Sequence, residues 1–262
     1  MNFNEQQILI IGASGLVGTE LISILLERGF QASNILTTAS EQSSGKAIEV
    51  EGNAFVLQAI DVKLFTTSPL VFQCASNEAA REWVPIALEA GCRVIDCSSM
   101  YRQDDGVPLV IPNVNGCFLQ PNSQLIASPN CTTIVLLTAI QGLREILNIV
   151  SITVATYQSL SGAGRDGLQA LEEETSGTPP KRNGVFPEPC AFNVFCHEST
   201  VNTETGFNGE EEKVIAEVHK IWNETELQVI PTCIRVPVVR VHTESITLTV
   251  NGVVSESVVL EA

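Results

Sequence analysis

The sequence predicts an α/β protein in which a Rossmann-type, doubly wound parallel sheet is followed by an α+β domain. In the first half, short apolar segments alternate with stretches that carry apolar residues at helical spacing, which is typical of a parallel sheet with crossover helices. After Ser128 the pattern changes to one long helix and to longer segments of alternating polarity. We therefore expect a first domain over residues 1–128 and a second over residues 129–262.

The first domain is predicted to begin with a buried strand at Gln7–Ile11, because this isoleucine-rich run ends at a glycine-rich turn. Leu16–Arg28 follows as a helix with apolar residues on one face, and Gly29 is its expected C-cap. The other predicted elements of this domain are strands at Asn34–Thr38, Val71–Ala75, Arg93–Cys97 and Leu109–Pro112, and a helix at about Glu78–Glu89.

The second domain is predicted to begin with a helix over Cys131–Leu147. Ile149–Gln158 alternates in polarity and is rich in β-branched residues, which favours a strand. The remaining predicted elements are a short helix near Arg165–Glu174, an amphipathic helix over Glu210–Asn223, and two neighbouring antiparallel strands at Gln228–Pro237 and Val238–Val250.

Composition and charge exclude several classes of function. The 262 residues are 44% hydrophobic, which indicates a folded chain, and no apolar run is long enough to span a bilayer. Met1–Glu5 lacks the features of a signal peptide, so we expect a cytoplasmic protein without a membrane partner. The net charge of -16 argues against nucleic-acid binding, which needs clustered Lys and Arg.

The eight cysteines include no Cys-x-x-Cys pair, so neither a structural zinc site nor any other metal site is expected. In a cytoplasmic protein of this size we expect the thiols to stay reduced.

A glycine pattern, G-x-x-G-x-x-G, lies between the first predicted strand and the first predicted helix, at Gly12, Gly15 and Gly18. Glycines at this point allow a tight turn and let backbone N–H groups approach a pyrophosphate at the helix start. A simple βα turn is the alternative. The strand–turn–helix context favours a dinucleotide site.

Cys131 stands at a predicted helix start, in Pro129-Asn130-Cys131-Thr132-Thr133. The partial positive charge of a helix N-terminus favours thiolate over thiol, which predicts a nucleophile. A structural cysteine is the alternative.

Two further polar residues are candidates for chemistry. Gln158 ends a predicted strand beside the glycine-rich Ser161–Gly164, where its amide could orient a substrate or stabilise an oxyanion. His242 is the best of three histidines for a neutral-pH base, because two arginines precede it on β-structure. We expect His219 to be solvated and His197 to serve packing or a subunit contact.

Taken together, these segments resemble the aspartate-semialdehyde dehydrogenase family, from the glycine loop to about Thr249. The more specific matching segments are Ser98–Arg102, Val107–Asn115, Pro129–Thr133, Thr156–Gln158, Ser161–Gly164 and Arg235–His242.

The resemblance implies NADPH-dependent reductive dephosphorylation of L-aspartyl-4-phosphate to L-aspartate 4-semialdehyde, in the pathway to lysine, threonine, methionine and diaminopimelate. Cys131 would form a thioester, His242 would act as acid and base, and Gln158 would position the substrate. The second domain would then be a catalytic and dimerisation domain, in a homodimer or homotetramer.

The same resemblance implies the ligands of substrate and cofactor. Arg235 with Glu210 would hold the amino-acid end of the substrate, and Arg102 with Lys213 would bind its phosphate. The implied contacts to NADP are Gly12, Ser14, Gly15, Leu16, Val17, Gly18, Ser43, Ser161 and Gly162.

The chain departs from the family pattern at three places. Gln42 stands where an arginine usually binds the 2′-phosphate of NADP, so NAD is also compatible as cofactor. Cys74–Asn77 is less glycine-rich than the family pattern. The family continues past Ala262 to a final helix, so we expect the second domain to be incomplete at its C-terminal end.

Two alternatives stay open at this point. N-acetyl-γ-glutamyl-phosphate reductase runs the same chemistry on a related fold, although Thr156–Gln158 and Arg235–His242 fit it less well. A non-catalytic or truncated paralogue would keep the fold as a binding protein.

Overall fold

The computed structural model describes residues 6–177 and 184–261 of the chain. Met1–Glu5, on which the expectation of no signal peptide depends, lies outside the described residues. The chain forms two compact units. The first unit comprises Met1–Val110 and Phe118–Ser128, and the second comprises Ile111–Cys117 and Pro129–Ala262.

The first unit is a parallel sheet of five strands in the order β2-β1-β5-β6-β7, together with a separate hairpin of β3 and β4. The doubly wound order confirms the predicted fold class. Its elements are β1 (Ile8–Ile11), α1 (Leu16–Glu27), β2 (Ile35–Thr38), β3 (Ala47–Val50), β4 (Asn53–Val56), α2 (Lys63–Thr67), β5 (Leu70–Gln73), α3 (Asn77–Glu89), β6 (Arg93–Asp96) and β7 (Leu125–Ala127).

Both faces of this sheet are buried, which explains the uninterrupted apolar run of β1. Ile8 and Ile10 belong to the core cluster that includes Ile22 of α1, whereas Leu9 and Ile11 belong to the opposite cluster with α3. A strand covered on both faces needs apolar residues at every position rather than at alternate ones.

The end of α1 is stabilised by the glycine that the sequence predicts as its C-cap. Gly29 adopts a φ of +85°, and the N–H of Phe30 donates to the carbonyl of Leu25 at 3.0 Å. Arg28 is the C-cap, one residue before the predicted one, and Gly29 follows it in a left-handed conformation that a residue with a Cβ would adopt only with strain.

The first half differs from the prediction at several places, and α2 and β7 are among the elements that were not predicted. The predicted strand Leu109–Pro112 is wrong: Leu109 forms an isolated bridge with Ala127, and Pro112 begins helix α4 (Pro112–Asn115). Proline fits the first turn of a helix, where its missing N–H needs no partner. The β3–β4 hairpin was not predicted, because its short strands show no clear apolar periodicity.

The second unit has a sheet of four strands in the order β11-β8-β10-β9. Besides α4, its elements are α5 (Cys131–Ile146), β8 (Ile149–Gln158), α6 (Gly164–Thr175), β9 (Phe195–Cys196), α7 (Gly209–Trp222), β10 (Gln228–Arg235), β11 (Thr243–Val250) and α8 (Glu256–Glu261).

The predicted pairing of the last two long strands is wrong. They run in opposite directions, but β8 lies between them: β10 pairs with β8 in parallel and β11 pairs with β8 in antiparallel orientation. The residues from Val238 to His242 are irregular, and Val241 has a φ of +76°, which is strained for a β-branched residue. This turn separates the ends of β10 and β11, and it presents His242 beside the end of β8.

Among the helices of the described residues, none combines the length and the apolar character that a membrane span requires.

Candidate functional site

The candidate site of the second unit lies at the carboxyl ends of β8 and β10. The parallel register pairs Gln158 with Arg235, and both side chains are buried. Helix α5 begins at Cys131, and its N-cap is Asn130, whose side chain accepts from the N–H of Thr132 at 2.8 Å. Two strand ends and a helix start therefore position the candidate side chains.

Cys131 and His242 lie in contact, although 111 residues separate them in the sequence. The distance from Cys131 Sγ to His242 Nε2 is 3.2 Å. On its other side, His242 Nδ1 lies 3.1 Å from both the backbone nitrogen and the hydroxyl of Ser159. Because the N–H donates to Nδ1, Nδ1 is unprotonated in this geometry and the proton of the neutral ring lies on Nε2; a ring protonated at Nδ1 could donate to the hydroxyl, but it would lose the bond from the N–H.

The surroundings favour the neutral form of both groups in this pair. Burial, followed by the charge of Arg235, lowers the pKa of His242. Although Cys131 as a residue is exposed, desolvation of its sulfur, followed by the Glu210 carboxylate, raises the pKa of the thiol. These two effects oppose the helix terminus, which favours the thiolate, and the thiolate at the helix start stays a prediction.

Gln158 donates from its amide nitrogen to two buried oxygens, Thr132 Oγ1 and Glu210 Oε1, the latter at 3.1 Å. Both amide N–H groups are thus used inside the protein. Its Oε1 is buried and has no partner among the described residues. The atom of Gln158 that remains available is Oε1, which accepts hydrogen bonds. It can bind a donor group of a ligand but cannot stabilise an oxyanion, the role considered from the sequence.

Glu210 is a buried carboxylate at the first turn of α7. Asn130 Nδ2 donates to it at 2.8 Å, and Lys213 Nζ lies 3.2 Å from its other oxygen. Burial raises the pKa of Glu210, but Lys213, His197 and the hydrogen bonds from Asn130 and Gln158 together lower it to about 2. The group is therefore ionised at neutral pH, as a ligand for an ammonium must be.

The guanidinium of Arg235 is already bound by a carboxylate of the chain. Its Nε and Nη2 donate to the two oxygens of Glu198 at 2.9 and 2.7 Å. Nη2 also lies 2.9 Å from His197 Nε2, and Nη1 donates to the carbonyl of Ser159 at 3.2 Å. The guanidinium fork that the family resemblance assigns to a substrate carboxylate is thus occupied by Glu198 in this structure.

Several residues of this site were missed or misjudged from the sequence. His197, expected to serve packing or a subunit contact, lies between Arg235 and Glu210, and Glu198 has no sequence signal because it stands in an irregular segment. Asn130 could have been found, since it directly precedes a helix start. His219, expected to be solvated, contacts the carbonyl of Leu227 at 2.8 Å.

Ser161 and Gly162, implied as cofactor contacts, belong to this second-unit site. Ser161 Oγ lies 3.0 Å from Ser159 Oγ. A Cβ on Gly162 would lie 2.5 Å from Arg235 Nη1 and 3.4 Å from His242 Cε1. A side chain at this position would therefore displace the end of the Arg235 guanidinium.

The glycine loop of the first unit forms the backbone cradle that a dinucleotide needs. Gly12 has a φ of +81°, and a Cβ on it would lie 2.9 Å from Ala75. A Cβ on Gly18 would lie 2.4 Å from the carbonyl oxygen of Gly12. Gly15 is the N-cap of α1, and no side chain of the described residues caps this helix. Ser14, Leu16 and Val17 complete the loop and the first turn.

The segment after β2 lies at the same sheet edge as this loop, because β1 and β2 are parallel neighbours. Gln42 and Ser43 belong to a short 3-10 helix at Glu41–Ser43, with Gln42 exposed and Ser43 half-buried. This position is where dinucleotide-binding folds contact the adenosine ribose. The residues present therefore fit a nicotinamide dinucleotide.

Arg102 is buried in the first unit, where its Nη2 donates to the carbonyl of Cys97 at 3.1 Å. Lys213 belongs to the second unit and is partly exposed. Their joint role at a phosphate stays a prediction.

Comparison with known proteins adds independent information. Residues 7–120 match the family model described as semialdehyde dehydrogenase, NAD binding domain, and residues 140–261 match semialdehyde dehydrogenase, dimerisation domain. An aspartate-semialdehyde dehydrogenase of Synechocystis sp. is 37% identical over 92% of this chain and 72% of that protein. Aspartate-semialdehyde dehydrogenase 2 of Vibrio cholerae is 36% identical over 91% of this chain and 72% of that protein.

A solved structure shows the same likeness in three dimensions. Aspartate semialdehyde dehydrogenase II of Vibrio cholerae, complexed with ASA, superposes with a TM-score of 0.88 at 34% identity. The match covers 98% of this chain and 78% of that one, so this chain spans less than the full length of each of these relatives.

Proposed function

This chain belongs to the aspartate-semialdehyde dehydrogenase family, and we propose that it catalyses the NADPH-dependent reductive dephosphorylation of L-aspartyl-4-phosphate to L-aspartate 4-semialdehyde. Members of this family are oxidoreductases of amino-acid biosynthesis that use a nicotinamide cofactor. The observation that carries the proposal is the 3.2 Å contact between Cys131 Sγ and His242 Nε2 at the start of α5.

In the first step, the Cys131 sulfur attacks the acyl phosphate of the substrate. Because the surroundings favour the protonated thiol, His242 must take its proton at Nε2, which requires the ring proton to lie on Nδ1; Ser159 Oγ can then accept from Nδ1, and the bond from the Ser159 N–H to Nδ1 is given up. A C–S bond forms, the C–O bond to phosphate breaks, and the product on the protein is a Cys131 thioester.

In the second step, the thioester is reduced to the aldehyde. The bound nicotinamide cofactor supplies the hydride. As the C–S bond breaks, the sulfur leaves as a thiolate, and His242 returns the proton to it across the same 3.2 Å contact. The lowered pKa of His242 suits this role, because the protonated ring gives up its proton readily.

The amino-acid end of the substrate is assigned to the polar groups around Gln158. The ionised Glu210 would bind the ammonium, and Gln158 Oε1 would accept from the same group. Arg235 would bind the carboxylate with its guanidinium fork. Lys213 and Arg102 would bind the phosphate, which agrees with their charge.

The nicotinamide cofactor would lie on the glycine loop, with NADP as the proposed form. Backbone N–H groups of the loop and of the first turn of α1 would face its pyrophosphate, apart from that of Gly15, which donates to the carbonyl of Gly12 at 3.0 Å; the absence of Cβ atoms at Gly12 and Gly18 supports this. Ser43 and Ser161–Gly162 would make further contacts. Gln42 cannot pair with a 2′-phosphate as an arginine does, so NAD is retained as a second candidate.

The second unit carries an oligomerisation domain, and we propose a homodimer or homotetramer. One face of its sheet supports this, because Tyr157, Ile230 and Thr243 are exposed and Ile234 is half-buried on adjacent strands. A second copy of this chain is the proposed occupant. We place the reaction in the cytoplasm, in the synthesis of lysine, threonine, methionine and diaminopimelate.

The test is phosphate-dependent reduction of NADP, and separately of NAD, by the purified chain with L-aspartate 4-semialdehyde. Cys131→Ala should abolish turnover, whereas Cys117→Ala, which removes another exposed thiol of the same unit, should not. The ratio of the rate with NADP to the rate with NAD measures the effect of Gln42 on cofactor preference. Turnover that survives in Cys131→Ala would remove the nucleophile, and a folded chain without turnover would contradict the proposal.

A further inference from the structure

Glu198 and Arg235 form a two-point ion pair in the candidate site. The contacts of 2.9 and 2.7 Å use Nε and one N–H of Nη2, which is the edge of a guanidinium that pairs with a carboxylate. His197 takes the second position on Nη2, and the carbonyl of Ser159 takes one on Nη1. A carboxylate binds a guanidinium through a pair of N–H donors, either Nε with Nη2 or Nη1 with Nη2. In Arg235 both pairs already have acceptors within the protein.

The charges around the pair balance. Arg235 and Lys213 are positive, while Glu198 and Glu210 are negative. His197 and His242 add no charge at pH 7, since burial lowers the pKa of each ring. A carboxylate that approaches Arg235 therefore meets no surplus positive charge until Glu198 moves away.

Glu198 is the more exposed partner of the pair, in a segment that the N–H of His197 ties to the carbonyl of Cys233 at 3.0 Å. It follows β9, an edge strand of two residues whose Phe195 pairs with Arg235. The Glu198 side chain is 22% exposed, whereas that of Arg235 is 4% exposed. The acid can therefore leave the guanidinium by rotation of its own side chain, whereas the buried arginine is held at the end of β10.

We propose that Glu198 is an internal competitor for the substrate carboxylate, which occupies Arg235 in the substrate-free protein and is displaced when substrate binds. The inference rests on the proposed role of Arg235 in holding the amino-acid end. Glu198 would then determine substrate affinity. The apparent dissociation constant of the substrate equals its intrinsic dissociation constant divided by the fraction of protein molecules in which Glu198 does not bind Arg235, here called the open fraction.

Glu198→Gln tests this with little change in shape, because the amide keeps the size of the side chain and removes its charge. If Arg235 is open in about a tenth of the protein, KM for L-aspartate 4-semialdehyde should fall about tenfold, with kcat and the KM for phosphate within about twofold. Glu204→Gln is the matched control, since it removes one exposed negative charge of the same unit. An unchanged or raised KM in Glu198→Gln would show that Glu198 only positions Arg235, and would overturn the proposal.

Binding measured without turnover separates this inference from the proposed reaction. L-2-aminobutyrate carries the amino-acid end without a reactive carbonyl, and calorimetry should show about tenfold tighter binding to Glu198→Gln than to the unmodified chain. Tighter binding to Glu198→Gln in a protein without turnover would reject the proposed reaction and support Glu198 as a competitor. Turnover together with equal affinities of both proteins for L-2-aminobutyrate would support the reaction and reject the competitor.

A measurement on the unmodified chain covers the case in which the variant does not fold. The Nε–H resonance of Arg235, assigned by its loss in Arg235→Lys, should shift when L-2-aminobutyrate is added, because its acceptor changes. Saturating binding with no shift of this resonance would show that Glu198 stays in place, and would reject the proposal.

Discussion

Asn130 connects the start of α5 to two buried carboxylates, Glu210 and Glu217, so its replacement should affect both the helix and these contacts. Its Oδ1 caps the helix at the N–H of Thr132, and its Nδ2 donates to Glu210 at 2.8 Å. Its own N–H donates to Glu217, a fully buried acid. Asn130→Ala removes the first two contacts and keeps the third.

The expected loss of stability follows from these two contacts. An N-cap side chain contributes about 1 kcal/mol. A buried hydrogen bond to a charged group contributes about 2 kcal/mol. We therefore expect Asn130→Ala to lower the free energy of unfolding by about 3 kcal/mol.

Asn130→Asp separates the two effects. The carboxylate keeps the cap, but it places an oxygen with the same charge beside Glu210, where the amide donated. We expect a loss at least as large as that of the bond alone, about 2 kcal/mol at pH 7. The loss should shrink as the pH falls, because the like charge raises the pKa of the new acid and its protonated form can donate to Glu210.

Urea unfolding followed by tryptophan fluorescence measures these changes. The chain has two tryptophans, and a Trp83→Phe background leaves Trp222 at the end of α7 as the reporter of the second unit. If Asn130→Asp unfolds at the same urea concentration as the parent at pH 7, the bond to Glu210 contributes nothing, and the reasoning is refuted.

The pH dependence of two other groups can be checked in the same way. Because the pKa of Cys131 is raised, its alkylation by iodoacetamide should still accelerate above pH 9.0, and Glu210→Gln should move this profile to lower pH; a plateau below neutral pH would instead indicate a preformed thiolate. Burial raises the pKa of Glu244 to about 7, and both its oxygens are buried without a partner among the described residues. The folded state therefore holds this proton more tightly than the unfolded chain, so stability should fall as the pH rises to about 7. Glu244→Gln should flatten this slope in urea unfolding between about pH 5 and pH 8, and an equally steep slope in the variant would contradict the assignment.

Local features of the sequence were sufficient to place most helices and strands. The prediction of β8 agrees with the structure at both ends, and α1 and α5 begin at the predicted residues. These elements have strong periodicity and clear end signals, such as Gly29 after α1 and Asn130 before α5. Such signals act between residues a few positions apart, which a single sequence displays directly.

Contacts between distant segments could not be predicted in the same way. The insertion of β8 between β10 and β11 decides which residues adjoin the end of β10, and no local pattern indicates it. Glu198 lies 37 residues before Arg235 and has neither a motif nor periodicity to mark it. Its contact with the guanidinium exists only because β9 pairs with the end of β10.

The sequence by itself determined the parallel first sheet, the glycine cradle and the identity of the candidate nucleophile, because periodicity, glycine spacing and a helix start are local properties. Only the tertiary structure decided the direction in which the pKa of Cys131 shifts and which carboxylate binds Arg235. Both depend on burial and on charges that the fold brings together, namely Glu210 beside Cys131 and Glu198 on Arg235. Electrostatic energies depend on distance and on exclusion of water, and neither quantity exists until the chain has folded.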